Sequence, residues 1–316
     1  MINFLGFGGG GGDSETLFLN LEKSQYHSGE KVKGNLTITS NKDTASRAFR
    51  FIAEGKEKTE ITVSEPYYGG GSSSSYSNDY RDVTYTSLNV FFSQDLLEFL
   101  KGNSLLIDLE KARNNKKDIV IRKGRTEIPF EFTVPYNTLS SYNGKNTRIT
   151  YSVKATIDKK MRRDVNSSID FVVISQYNDS SNNINRPISV STFKVNGLGL
   201  ELDLDKSVYN VGDTVRGTIN ISKSNPDIYI RTIEIILIAT EKATALDKSV
   251  ATTVYENKYK IRDWKEKQNC PFEIDIPKDV VKSYRGKYSE IVWEIKAKVD
   301  LPLSHDLNAE AMIEVV

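Results

Sequence analysis

Only one cysteine, Cys270, occurs in the 316 residues. No disulfide can form within the chain, and a reducing compartment such as the cytosol fits that usage. Histidine is nearly as scarce, with His27 and His305 as the two copies. Chemistries that depend on histidine bases or on Cys/His metal clusters therefore have little to draw on. No apolar run approaches the ~20 residues that span a bilayer. The start, Met1-Ile2-Asn3-Phe4-Leu5-Gly6-Phe7, lacks the basic and apolar regions of a signal peptide. Any membrane contact is expected to be peripheral or made through a partner. Neither sign of charge dominates: Lys+Arg is 43 and Asp+Glu is 42, a net charge of +1. Without a basic field to displace phosphate counterions, a nucleic-acid partner is not expected. Helical periodicity is almost absent as well.

Period-two alternation takes its place. Ile149, Tyr151, Val153, Ala155 and Ile157 alternate with polar residues, and so do Ile291, Trp293, Ile295, Ala297 and Val299. One buried and one wet face per strand is the signature of antiparallel sandwich sheets. The chain also repeats itself. Leu19–Ile38 (LNLEKSQYHSGEKVKGNLTI) returns as Leu202–Ile221 (LDLDKSVYNVGDTVRGTINI), an offset of 209 − 26 = 183. A second block follows in each half. Pro129-Phe130-Glu131 returns as Pro271-Phe272-Glu273, Ser141-Tyr142 as Ser283-Tyr284, and Tyr151–Asp158 as Trp293–Asp300, an offset of 284 − 142 = 142. Two blocks recurring in the same order predict two homologous β-sandwiches in tandem.

The offsets differ by 183 − 142 = 41, so the first copy carries extra sequence between its blocks. Part of it is a Gly/Ser loop at 69–75. Part is Ser93–Lys101, where Ser93 suits an N-cap, Leu96, Leu97 and Leu100 form a stripe and Gly102 suits a stop, which predicts one short helix. The expected division is a glycine-rich leader over 1–15, a first sandwich over 16–177, a linker and entry segment over 178–198, and a second sandwich over 199–316.

A search for catalytic groups finds little. His27 lies in the first repeated turn and is replaced by Asn210 in the second copy, and His305 sits in another turn-like stretch. Cys270 stands opposite Ile128 of the first copy, which marks it as a small buried hydrophobe. Gly8–Gly12 lacks the Gly-Lys-Ser/Thr of a phosphate loop. No catalytic, metal or cofactor site is expected. Glu131 and Glu273 are repeated strand positions and read as structural.

Three motifs stand out: Y-x-x-G-(E/D)-x-V-x-G at Tyr26–Gly34 and again at Tyr209–Gly217, I-P-F-x-F-x-V-P at Ile128–Pro135, and R-I-x-Y-x-V-K-A at Arg148–Ala155. In these the chain resembles the arrestin superfamily over nearly its whole length. The resemblance implies an all-β arrestin fold of two immunoglobulin-like sandwiches and a non-enzymatic adaptor or scaffold. Such a protein is expected in the cytoplasm, peripheral to endosomal or other intracellular membranes, where it links membrane-protein cargo to trafficking machinery. The Pro-Phe-x-Phe block is similar to alpha-arrestins. Ser141–Gly144 with Arg148–Tyr151, Asn182-Asn183-Ile184 and the Met1–Phe7 start are similar to the arrestin-like subunit of retromer, a coat component whose partner is a helical solenoid. Prokaryotic sporulation-control relatives share the two-sandwich plan. No Pro-Pro-x-Tyr is present, so the ubiquitin-ligase recruitment of alpha-arrestins is not expected, and the strand-like Ala311–Val316 end carries no endocytic tail. An enzymatic or small-ligand-binding sandwich is the alternative of another class, and it would need a deep pocket with converging polar groups.

The expected partners are cytoplasmic tails of membrane proteins, coat subunits and an anionic membrane surface. Lys159, Lys160, Arg162 and Arg163 form a compact cluster at an expected hairpin end and are candidates for anionic lipid or an acidic partner, against the plain reading of a solvated turn. Phe4, Leu5 and Phe7 are a candidate N-terminal anchor. Leu106-Ile107-Asp108-Leu109-Glu110 fits a clathrin-box-like pattern, although an ordinary strand is the better reading there.

Overall fold

The protein, a computed structural model, is described over residues 15–67, 79–100, 106–107, 119–175, 185–193, 197–225, 227–261, 269–302 and 304–316. The chain divides into two compact units. One comprises Met1–Lys58, Leu88–Asn143 and Thr147–Tyr177, and the other Thr59–Ser87, Gly144–Asn146 and Asn178–Val316.

In the first sandwich, a sheet ordered Glu15–Leu21, Lys31–Ser40, Gly124–Thr133 faces a larger one ordered Gln25–His27, Val165–Ile174, Thr147–Asp158, Ala48–Tyr67, Asp79–Asp95, of whose last two strands the first unit takes the parts up to Lys58 and from Leu88. Phe130 and Phe132 of the small sheet meet Phe51 and Phe171 of the large one, with ring centroids 5.1 and 6.0 Å apart. The second unit repeats the plan. Ile188–Phe193, Leu198–Leu204, Thr214–Lys223 and Asn269–Asp275 form one sheet, and Val208–Tyr209, Leu307–Val315, Ser289–Asp300, Thr232–Ala245 and Lys248–Ile261 the other. Ser289–Asp300 buries every second residue along its length. The short strands carrying Tyr26 and Tyr209 run parallel to their neighbours, in both copies alike. This is the all-β tandem sandwich that alternation and repetition predict.

The two repeated blocks are parts of one mechanical unit. Gly34 sits opposite Phe130 and Gly217 opposite Phe272, so the glycine of the first block faces the phenylalanine of the second in each copy. A Cβ on Gly34 would lie 2.3 Å from the Asn20 carbonyl oxygen and 2.7 Å from the Phe130 ring, and one on Gly217 2.5 Å from the Asp203 carbonyl oxygen and 2.6 Å from Phe272. The preceding turns match too. Glu30 accepts from the His27 N–H and pairs with Lys23, while Asp213 accepts from the Asn210 N–H and pairs with Lys206. The hydrogen bond from Lys23 holds the Glu30 carboxyl below its ordinary value. Gly29 and Gly212 complete these turns at φ +79° and +86°, where a Cβ is disfavoured.

Two buried aromatic side chains place their polar atoms on matched partners. Tyr151 donates to the Leu139 carbonyl, and in the second copy Trp293 donates from Nε1 to the Val281 carbonyl at 2.9 Å. Burial pushes the Tyr151 hydroxyl well above its ordinary value, which keeps it protonated as a donor. Trp293→Phe is expected to cost about 2 kcal/mol, from one orphaned carbonyl plus lost packing. Urea unfolding checks this, and a cost below about 0.5 kcal/mol would mean that another donor reaches Val281.

Two local expectations take a more specific form. Within the predicted helix over Ser93–Lys101, the described residues Leu97–Leu100 form a 3-10 turn. Ser93 still belongs to the strand Asp79–Asp95, and Leu96 donates to the Phe51 carbonyl at 2.8 Å, which leaves four residues to turn. Asp95, not Ser93, accepts from the Leu97 N–H. Leu96 and Leu100 are fully buried, so the apolar spacing is used. Within the expected linker and entry segment, Ile188–Phe193 is a strand paired from Ile188↔Leu204 to Phe193↔Gly199.

Candidate interaction surfaces

Each candidate for chemistry has a definite place in the fold. Cys270 is buried and lies opposite Ile219 in the sheet register. Glu131 pairs with Lys31 and Glu273 with Arg216, each at 2.9 Å across neighbouring strands. His27 and His305 are exposed. Among the described residues, no group of three or more His, Cys, Asp and Glu side chains is arranged to hold a metal ion.

The basic cluster splits. Lys159 is 2% exposed and its ammonium pairs with Glu15, itself 1% exposed. It is therefore withdrawn from the candidate contact surface, because its charge is consumed inside the first sandwich. Lys160, Arg162 and Arg163 are exposed on the turn that joins Thr147–Asp158 to Val165–Ile174. Between them Met161 is 94% exposed at φ +57°. The Lys159 N–H donates to the Asp164 carboxylate at 3.1 Å and closes the turn. Asp158 at its base is taken by Arg47 at 2.6 Å and Arg50 at 3.5 Å.

Of the clathrin-box-like segment, Leu106–Ile107 pairs as a short strand with Ile119–Ile121, while Asp108, Leu109 and Glu110 lie outside the described residues. Phe4, Leu5 and Phe7 also lie outside them.

Sheet edges supply what the motif search missed. Ile188–Phe193 is the edge strand of its sheet and reads Ile-Ser-Val-Ser-Thr-Phe, with no charge and no proline. One edge strand of the other sheet in this unit, Lys248–Ile261, carries Lys248, Lys258 and Lys260, a pattern that discourages strand addition. Phe193 is 75% exposed, and its ring lies over Gly199, where a Cβ would come within 2.8 Å of it. Uncharged alternation was the available signal, but its place after a polar linker concealed it.

The second unit also holds a buried polar cluster that sequence reasoning did not find. Glu241, fully buried, accepts from the Asn146 N–H at 2.8 Å and from its side-chain amide at 3.0 Å, and that amide also meets Thr252 at 3.0 Å. Thr59 donates to the Thr244 carbonyl at 2.6 Å, and Ile61, Ala243 and Ala245 form an apolar cluster beside Val63, Tyr85 and Val250.

Comparison with known proteins agrees with this architecture. Residues 16–180 match the family model "Arrestin (or S-antigen), N-terminal domain". The chain is 21% identical to vacuolar protein sorting-associated protein 26C of Dictyostelium discoideum, over 96% of this chain and 99% of that one. It is 23% identical to arrestin domain-containing protein 4 of Mus musculus, over 74% of this chain and 54% of that one. A third relative is vacuolar protein sorting-associated protein 26B of Pongo abelii, 29% identical over 42% of this chain and 38% of that one. The family match spans more than half of the 316 residues, and the internal repeat carries the same motifs into the remainder. This chain belongs to the arrestin family.

Proposed function

We propose that this protein is a non-catalytic adaptor or scaffold of the arrestin type that binds protein partners in the sorting of membrane proteins, in the cytoplasm and peripheral to intracellular membranes. The observation that carries this reading is the end-to-end correspondence, 96% of this chain against 99% of a vacuolar protein sorting relative. The same correspondence favours a second reading. The match to arrestin domain-containing protein 4 covers 54% of that relative. A permanent coat subunit bound to a helical-repeat partner therefore stands beside a transient cargo adaptor. No helix among the described residues is long and apolar enough to cross a membrane.

Strand addition along Ile188–Phe193 is the proposed mode of contact, since an edge presents unpaired N–H and C=O groups and this one lacks charges that would repel an incoming strand. Adjacent strand residues point their N–H groups to opposite sides. Of Ser191→Pro and Thr192→Pro, one therefore removes an outward donor and the other a ladder bond to Leu198–Leu204.

Crosslinked affinity purification from cytosol plus membranes, run with wild type and both variants, tests the proposal. The variant that melts like wild type should lose its partner at least about tenfold, the value of roughly 1.4 kcal/mol of edge hydrogen bonding. Equal recovery by both variants removes this edge as the docking site. A helical-repeat protein in near-equal amounts identifies a coat subunit, and integral membrane proteins at low occupancy identify a cargo adaptor. Turnover of a small molecule by the purified protein would overturn the non-catalytic reading.

A further inference from the structure

We propose that the turn Lys160–Arg163 is a membrane-docking wedge, which places Met161 among the headgroups of an anionic bilayer while Lys160, Arg162 and Arg163 engage lipid phosphates. An unbranched apolar side chain held at φ +57° and 94% exposed is unfavourable twice over in water. The left-handed region is normally left to glycine or asparagine, and the thioether chain gains no burial. Single exposed apolar residues are common and by themselves imply nothing. Here the apex is flanked by three cations that make no ion pair among the described residues.

The surrounding charges reinforce the field. Arg47 and Arg50 are exposed beside the turn, and the carboxylates near it, Asp158 and Asp164, are already bound to Arg47, Arg50 and the Lys159 N–H. Lys159 and Glu15 cancel each other inside the sandwich. Five exposed cations against two carboxylates leave a surplus of three on one turn, in a chain whose total is +1. The turn is also held in place before any contact. Its base is the antiparallel ladder that ends at Ile157↔Val165, and Lys159 anchors it through the Asp164 bond and the buried pair. An acidic peptide is the other polyanion to consider. Every side chain from Lys160 to Asp164 is exposed, so the turn offers no concavity to seat peptide side chains. A bilayer needs none, and it accepts a projecting apolar tip.

The proposal requires no protein partner, so it stands or falls apart from the adaptor reading. The full chain would be sedimented with vesicles of phosphatidylcholine alone and with phosphatidylserine added. Binding is expected to the anionic vesicles only, and to weaken with salt. Each basic residue near such a surface is worth roughly fivefold in affinity, so Lys160/Arg162/Arg163→Gln should bind on the order of 100-fold more weakly. Met161→Gly relieves the backbone and removes the wedge, so it should melt no lower than wild type yet bind the vesicles more weakly. Met161→Leu should keep binding. Equal binding to neutral and anionic vesicles, or undiminished binding by the triple variant, would overturn the proposal. Capture of a polyglutamate peptide without vesicle binding would overturn it in favour of an acidic protein partner.

Discussion

Lys159→Met is expected to destabilise the first sandwich by about 3–5 kcal/mol, because it removes the ammonium that pairs with the buried Glu15 carboxylate. Both side chains are nearly inaccessible, 3% and 0% exposed, so water cannot replace the lost ammonium. The double variant Glu15→Leu/Lys159→Met should recover most of the loss, since a buried ion pair is often no more stabilising than apolar groups of similar size. Urea unfolding of the wild type, the single variant and the double variant closes the comparison. A single variant within about 1 kcal/mol of wild type would mean that the carboxylate finds solvent or another donor. The result also separates two kinds of lysine in one basic run. Lys160→Gln should leave stability unchanged within about 0.5 kcal/mol, as expected of an exposed side chain.

The second large effect is expected at the paired glycines. Gly34→Ala and Gly217→Ala should each cost about 3–5 kcal/mol, at the upper end for point substitutions. Neither glycine has a positive φ, so backbone strain is not the reason. The new methyl would be forced to 2.3 Å from the Asn20 carbonyl in one copy and 2.5 Å from the Asp203 carbonyl in the other. A carbonyl inside a sheet cannot yield without breaking the ladder. Pairing Gly34→Ala with Phe130→Leu relieves the ring contact and leaves the carbonyl contact, so the rescue should be partial. Both tryptophans, Trp264 and Trp293, lie in the second half of the sequence. Gly217→Ala should therefore shift the tryptophan fluorescence transition, and Gly34→Ala should shift mainly the far-ultraviolet signal. A loss below about 1 kcal/mol in either would show that the sheet opens to admit the methyl.

The sandwich plan was readable because burial on one face imposes period two on every core strand. The duplication was readable because matched contacts demand matched residues, as at Gly34 with Phe130 and Gly217 with Phe272. Other features depend on partners far along the chain. Lys159 looks like any member of a basic run, and its burial is decided by Glu15, 144 residues away. Leu96, Leu97 and Leu100 have a spacing that suits a helix and a 3-10 turn equally, and the hydrogen bond from Leu96 to Phe51 settles which one forms. Ile188–Phe193 has a strand's alternation, but only its pairing with Leu198–Leu204 distinguishes an edge from a linker.

The strand Ala48–Tyr67 begins in the first unit and continues into the second. That arrangement matters during translation. Thr59 and Ile61 leave the ribosome early, yet the partner of Thr59 is Thr244, 185 residues later. At ~5–20 residues per second this is a wait of roughly 10–40 s. Throughout it, Ile61, Val63 and Tyr85 lack the Ala243 and Ala245 cluster that later covers them. A nascent chain stalled before residue 243 would thus display a strand with an uncovered apolar face, a natural target for a chaperone and a natural seed for misassembly between neighbouring chains on one message.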